Sequence, residues 1–153
     1  MEKLNKNFED FLRLLNEKKV KYLVVGGYAV AFHGFVRATG DLDIFIENSE
    51  ENAGKLVQVY TEFGFNIPEM NKLLFLEKGR IVRIGIPPLR LEVINDISGV
   101  TFEKSYPDRI EEKIGDIKVC FLDLENLLKN KKASNRPKDL ADIDGLTRRK
   151  VNS

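Results

Sequence analysis

Two glycines followed at short range by a spaced aspartate pair, Gly26-Gly27 and Asp41-Leu42-Asp43, constrain this chain more than any other feature. The residues leading in, Tyr22 to Val25, are a short β-branched apolar run that stops at the glycines. That is the pattern of a buried strand entering a tight turn, where paired glycines let backbone come close to a ligand. Ala29, Val30, Phe32 and His33 suit a short helix whose N-terminal amides point back at the turn, an arrangement that suits an anion such as phosphate. Strict alternation follows, with Asp41, Asp43 and Phe45 on one strand face and Leu42, Ile44 and Ile46 on the other. Both carboxylates therefore point the same way.

Like charges in a shared site push a pKa up, so a carboxylate pair of this kind invites a cation. Mg²⁺ takes oxygen ligands and is commonly bound by one or two carboxylates together with substrate phosphates. A glycine turn for phosphate beside a carboxylate pair for Mg²⁺ is the equipment of phosphoryl or nucleotidyl transfer. Each half also has a plainer reading: an ordinary turn for Gly26-Gly27, and a solvent-facing edge strand for Asp41 and Asp43.

The rest of the chain supplies a scaffold and two further polar stretches. Phe8, Phe11, Leu12 and Leu15 recur at helical spacing between Asn5 and Lys18. Ser49 suits an N-cap and Gly64 a C-terminal stop for a helix with Leu56, Val59, Tyr60 and Phe63 on its buried side. Leu73–Glu77 and Arg80–Ile86 read as a hairpin turning at Gly79, and Ile110–Ile114 with Ile117–Phe121 as a second, turning at Gly115-Asp116. Pro87-Pro88 breaks the chain before Leu89–Ile94, where Arg90, Glu92 and Ile94 share a face. If that strand lies beside the Asp41 strand, three carboxylates converge. The alternative is a surface ion pair between Glu92 and Arg90 or a lysine, worth roughly 0–1 kcal/mol.

Asp123 can cap a helix containing Leu124, Leu127 and Leu128, and Pro137 can start another with Leu140, Ile143 and Leu146 on one side. Between residues 129 and 150 there are eight Lys or Arg (129, 131, 132, 136, 138, 148, 149, 150) against three Asp (139, 142, 144), so the net charge of +1 hides a basic end. Such runs are often solvated helix faces.

Composition removes several classes of chemistry. One cysteine, Cys120, excludes an internal disulfide and a cysteine-based zinc cluster, and with one histidine a His/Cys metal site is excluded as well. No stretch approaches the roughly 20 apolar residues of a membrane span, so a soluble, cytoplasmic protein is expected. At 153 residues the chain is expected to form one α/β domain, 1–153, with a mixed sheet and helices packed mainly on one side.

Together, Gly26-Gly27, Asp41-Leu42-Asp43-Ile44 and Glu92 resemble the nucleotidyltransferase superfamily that includes DNA polymerase beta. Arg37-Ala-Thr-Gly-Asp41 and the stretch carrying Lys131, Arg136, Lys138 and Asp139 are similar to the branch containing minimal nucleotidyltransferases and AbiEii-like toxins of toxin–antitoxin systems. The resemblance implies that Asp41, Asp43 and Glu92 are catalytic and hold two Mg²⁺ ions. It further implies that Gly26, Gly27, Lys131, Arg136 and Lys138 meet the nucleotide, and that Asp139 fixes a basic side chain. Relatives more often carry aspartate where Glu92 stands, and many have serine at the place of Tyr28. The implied reaction transfers a nucleoside monophosphate from an NTP, with ATP the default, to a hydroxyl on RNA, protein or a small molecule. A homodimer or an antitoxin partner is the implied company. The rival reading is a catalytically silent module of the same fold that binds a nucleotide or a partner.

Overall fold

The computed structural model describes residues 4–86 and 89–152, with side chains through Arg148. Pro87-Pro88, expected to break the chain, lies outside the described residues, as do the Arg149 and Lys150 side chains of the basic end.

Helix α1 (Lys6–Glu17) opens on Asn5, whose side chain accepts from the Asn7 amide, and buries Phe8, Phe11, Leu12 and Leu15. Full burial of side chains of this size stabilises by about 1.5–3 kcal/mol each. Then come β1 (Tyr22–Val25), α2 (Gly26–Phe32), β2 (Asp41–Ile46) and α3 (Glu50–Phe63). Ser49 caps α3 by accepting from Asn52, and Gly64 ends it at φ 125°, a conformation open to glycine.

The expected hairpin around Gly79 does not form. Leu73–Leu76 is instead a one-turn helix, α4. The Asn71 side chain accepts from the Leu73 amide at 2.9 Å, the segment has no β-branched residue, and Phe75 is buried beside Tyr60 with ring centroids 5.2 Å apart. A local side chain–backbone hydrogen bond and one aromatic anchor outweigh an apolar run that otherwise reads as strand.

Strand β3 (Ile81–Ile84) therefore pairs onward, with β4 (Arg90–Ile94), and not with the segment before it. After α5 (Phe102–Ser105) the second hairpin forms as expected from β5 (Ile110–Ile114) and β6 (Ile117–Phe121). Helices α6 (Leu124–Ser134), capped by Asp123, and α7 (Pro137–Asn152) close the chain.

The six strands form one mixed sheet in the order β3-β4-β2-β1-β6-β5. β2 runs parallel to β4, and β1 runs antiparallel to β2 and parallel to β6. Register assigns the faces. Leu42 pairs with Leu91 and Ile44 with Val93, all buried, while Asp41 pairs with Arg90 and Asp43 with Glu92 on the opposite face. Phe45 shares the carboxylate face and is buried there by Phe102 of α5, with centroids 5.3 Å apart. The carboxylate face is thus apolar at the end of β2 and polar at its start. Among the described residues no helix is long and apolar enough to cross a membrane.

Candidate active site

The start of β2 and its partner β4 form the floor of a cleft of about 840 Å³. Asp41, Asp43 and Glu92 offer carboxylate oxygens that all lie within 4.8 Å of one another. Parallel pairing makes this possible: Asp43 sits directly opposite Glu92, and Asp41 is two residues away on the same face. The convergence expected from two separate sequence stretches is therefore a matter of register.

The glycines explain themselves by what a side chain would meet. Gly26 has φ +66°, and a Cβ there would overlap the Asp43 carboxylate. A Cβ on Gly27 would overlap the Thr39 side chain. The turn expected to bring backbone close to a ligand also brings it close to the chain's own carboxylate. Tyr28, by contrast, turns away: its ring packs edge-on against Phe8 at 5.7 Å.

Electrostatics marks Asp43 as short of positive charge. Burial, then the charge and hydrogen bond of Glu92, then the charge of Asp41 push its carboxyl up to about 7. Arginines partly serve its neighbours. Arg90 Nη2 donates to Asp41 Oδ2 at 2.9 Å, and Arg83 Nε donates to Glu92 Oε1 at 2.9 Å. A hard oxygen donor set, closely spaced and under-neutralised at its centre, fits Mg²⁺.

The basic C-terminal stretch forms the opposite wall, in a different state. Lys131 is only 3% exposed, and its Nζ lies 3.3 Å from Asp139 Oδ1 and 3.1 Å from Asp142 Oδ2. The expectation that Lys131 faces a triphosphate differs from this placement: two carboxylates one turn apart on α7 need a buried counter-ion, and Lys131 is it. Asp139 does fix a basic side chain as expected, accepting from Arg136 Nε at 2.7 Å and Nη2 at 3.1 Å. Arg136 and Lys138 are exposed and line the cleft. Burial alone would raise the Asp139 carboxyl, but the Arg136 hydrogen bonds and the Lys131 charge outweigh it and hold it below the usual carboxylate range.

This pairing also corrects the apolar stripe expected on the last helix. Leu140 is 53% exposed, and the inner side of α7 carries Asp139, Asp142, Gly145 and Leu146. Gly145 is packed against the Phe35 ring, where a Cβ would collide.

Arg37 completes the wall. Its Nε and Nη2 donate to Asp142 at 2.6 and 2.9 Å, clamping the segment between α2 and β2 onto α7. In the sequence Arg37 stands out only as part of a motif, and Arg83 does not stand out as a site residue at all. Nothing local announces Arg83, because its place opposite Glu92 depends on the β3–β4 register. His33 is structural, its Nε2 donating to the Leu122 carbonyl at 2.8 Å.

Known proteins share this architecture. A protein from Thermotoga maritima, assigned as a nucleotidyltransferase, superposes with a TM-score of 0.58 at 18% identity, over 95% of this chain and 91% of that one. The lincomycin-bound lincosamide antibiotic adenylyltransferase LnuA gives 0.57 at 17% identity, over 96% and 98%. ANT(2")-Ia in complex with adenylyl-2"-tobramycin gives 0.57 at 14%, over 91% and 84%. At these identities the likeness is one of fold. Comparison with curated proteins finds no match. The sequence profile of one family, described as nucleotidyltransferase of unknown function (DUF6036), matches residues 2–149. With nearly the whole chain covered by that match, this protein belongs to the DUF6036 family of nucleotidyltransferases.

Proposed function

We propose that this chain is a Mg²⁺-dependent nucleotidyltransferase that moves a nucleoside monophosphate, by default the AMP of ATP, to an acceptor hydroxyl. The observation that carries the reading is the meeting of Asp41, Asp43 and Glu92 within 4.8 Å on one sheet face, directly against the Gly26-Gly27 turn. These three residues would hold Mg²⁺, which when bound supplies Lewis-acid activation of the hydroxyl and neutralises charge on the leaving pyrophosphate.

The protein's own residues do the positioning. The glycine turn leaves the phosphates room to approach backbone, and the exposed Arg136 and Lys138 meet the triphosphate oxygens from the opposite wall. Asp139 holds Arg136 in place, and Lys131 keeps Asp139 and Asp142 neutralised. The acceptor oxygen bonds to the α-phosphorus as the bond from that phosphorus to the bridging oxygen breaks. The hydroxyl proton passes to Glu92, and pyrophosphate leaves.

Two structural neighbours hold an antibiotic or its adenylylated product, so a small-molecule hydroxyl stands beside RNA and protein as a candidate acceptor. The likeness of the Arg37–Asp41 and Lys131–Asp139 stretches to AbiEii-like toxins supports a toxin–antitoxin setting with an antitoxin partner. The pairing of Arg83 and Arg90 with the carboxylates favours a second reading, a silent nucleotide-holding module. Turnover separates the two. Incubation with each α-labelled Mg-NTP and RNA, protein or small-molecule acceptors should give a mass gain of one nucleoside monophosphate and pyrophosphate release, both lost in Asp41→Asn. Nucleotide binding without either product would leave the silent module.

A further inference from the structure

The carboxylates of the site already have cationic company. Arg90 spans two of them: Nη2 donates to Asp41 Oδ2 at 2.9 Å, and Nε lies 3.2 Å from Glu92 Oε1. The second contact is ionic only, because Nε is buried and makes no hydrogen bond. Arg83 reaches the same Glu92 oxygen from β3, at 2.9 Å. Asp43, directly opposite Glu92 in register, has no arginine ion pair among the described residues.

Two cations cannot comfortably share this place. A guanidinium and a divalent ion on the same carboxylate oxygens repel strongly at a few ångströms, most of all in a half-buried cleft. Arg90 therefore competes with any ion that draws on Asp41 and Glu92. It is held loosely, however: one of its five N–H groups donates to a carboxylate, and the other four make no hydrogen bond among the described residues. A guanidinium with a spare donor is well matched to phosphate oxygens, which it can meet through two parallel N–H groups.

We propose that Arg90, backed by Arg83, is a resident placeholder cation that holds Asp41 and Glu92 together in the metal-free protein and transfers to the triphosphate when the metal–nucleotide complex enters. This rests on the transferase reading of the site. It makes Arg90 a nucleotide-positioning residue. It also gives the protein a preference: a free divalent ion must displace an arginine that has nowhere better to go, whereas a metal–nucleotide complex brings the arginine a new partner.

The test is Mn²⁺ binding, followed by electron paramagnetic resonance, to the full chain and to Arg90→Met and Arg83→Met. Each is measured alone and with α,β-methylene-ATP, which cannot release pyrophosphate. Arg90→Met should bind free Mn²⁺ about tenfold more tightly and the Mn²⁺–analogue complex about tenfold more weakly, a difference of opposite sign in two titrations of one variant. Arg83→Met should tighten free Mn²⁺ by a smaller factor, since it releases Glu92 alone. Should Arg90→Met fail to fold, Arg90→Gln, which removes the charge but keeps a shorter polar group, undergoes the same pair of titrations with the same expected signs. Unchanged or weaker free Mn²⁺ binding in the Arg90 variant, while the parent takes the Mn²⁺–analogue complex, overturns the placeholder and leaves the transferase reading standing. Tighter free Mn²⁺ with undiminished analogue binding overturns the transfer to phosphate. No Mn²⁺ bound by parent or variants, with or without analogue, overturns both.

Discussion

The chain carries two clusters of carboxylates, one on the floor of the cleft and one buried behind its basic wall, and they are opposites. Asp139 and Asp142 on α7 are fully buried and matched by Lys131, Arg136 and Arg37, and both carboxyls are held low despite a burial that alone would raise them. Asp43, beside Asp41 and Glu92, is pushed the other way, to about 7, by burial and by its two acidic neighbours. One cluster is neutralised from within the chain and holds the fold together. The other is left short of charge at its centre, and a folded protein keeps such a deficit where a ligand makes it good.

If that contrast is right, mutations in the two clusters differ in kind. The largest loss of stability belongs to Lys131→Met, which strips two buried carboxylates of their shared counter-ion and should cost about 3–5 kcal/mol in urea unfolding. A cost below about 1 kcal/mol, the range of exposed pairs, would erase the distinction between the clusters. Arg37→Met removes the two-pronged clamp on Asp142 and should cost about 1.5–3 kcal/mol. Gly26→Ala forces a left-handed backbone on alanine and pushes a methyl against the Asp43 carboxylate. It should cost about 1–3 kcal/mol and, unlike the first two, abolish stabilisation by Mg-ATP through the carboxylates themselves.

The most specific effect lies in the pH profile. A carboxyl whose pKa rises on folding binds its proton more tightly in the native state. The metal-free protein should therefore gain stability from Asp43 as pH falls from about 7 towards 4, its ordinary range. Asp139 and Asp142 have lowered values, so their contribution is present above the ordinary carboxylate range and is lost only at more acid pH. Melts in EDTA at intervals across pH 4 to 8 should show the first slope in the parent and not in Asp43→Asn. A parent profile flat in that window would show that Asp43 carries no deficit.

Much of the carboxylate cluster was legible in sequence because it depends on short-range pattern. Alternation in Asp41–Ile46 fixes which side each carboxylate takes, and the glycines mark the turn against which Asp43 packs. Helix ends were legible for the same reason, since Ser49 and Asp123 bond to amides three residues away. What stayed hidden is what register and tertiary pairing decide. Leu73–Leu76 reads as strand until the Asn71 side chain accepts from the Leu73 amide and Phe75 finds Tyr60. Lys131 reads as a phosphate ligand until Asp139 and Asp142 are seen to turn inward. Arg83 meets Glu92 only because β3 pairs forward with β4.

The central claim, that Asp41, Asp43 and Glu92 form an under-neutralised metal site, is tested most directly by thermal melts of Asp43→Asn beside the parent at pH 7.5, in EDTA and in Mg-ATP. In EDTA the amide relieves repulsion among the three acidic groups, so the mutant should melt at the same temperature as the parent or higher. In Mg-ATP at about 100 times its dissociation constant the parent should gain roughly 2.7 kcal/mol, and the mutant should gain almost nothing. A mutant that melts clearly lower in EDTA and still responds fully to Mg-ATP would contradict the account, because Asp43 would then be part of the scaffold and the metal would bind elsewhere.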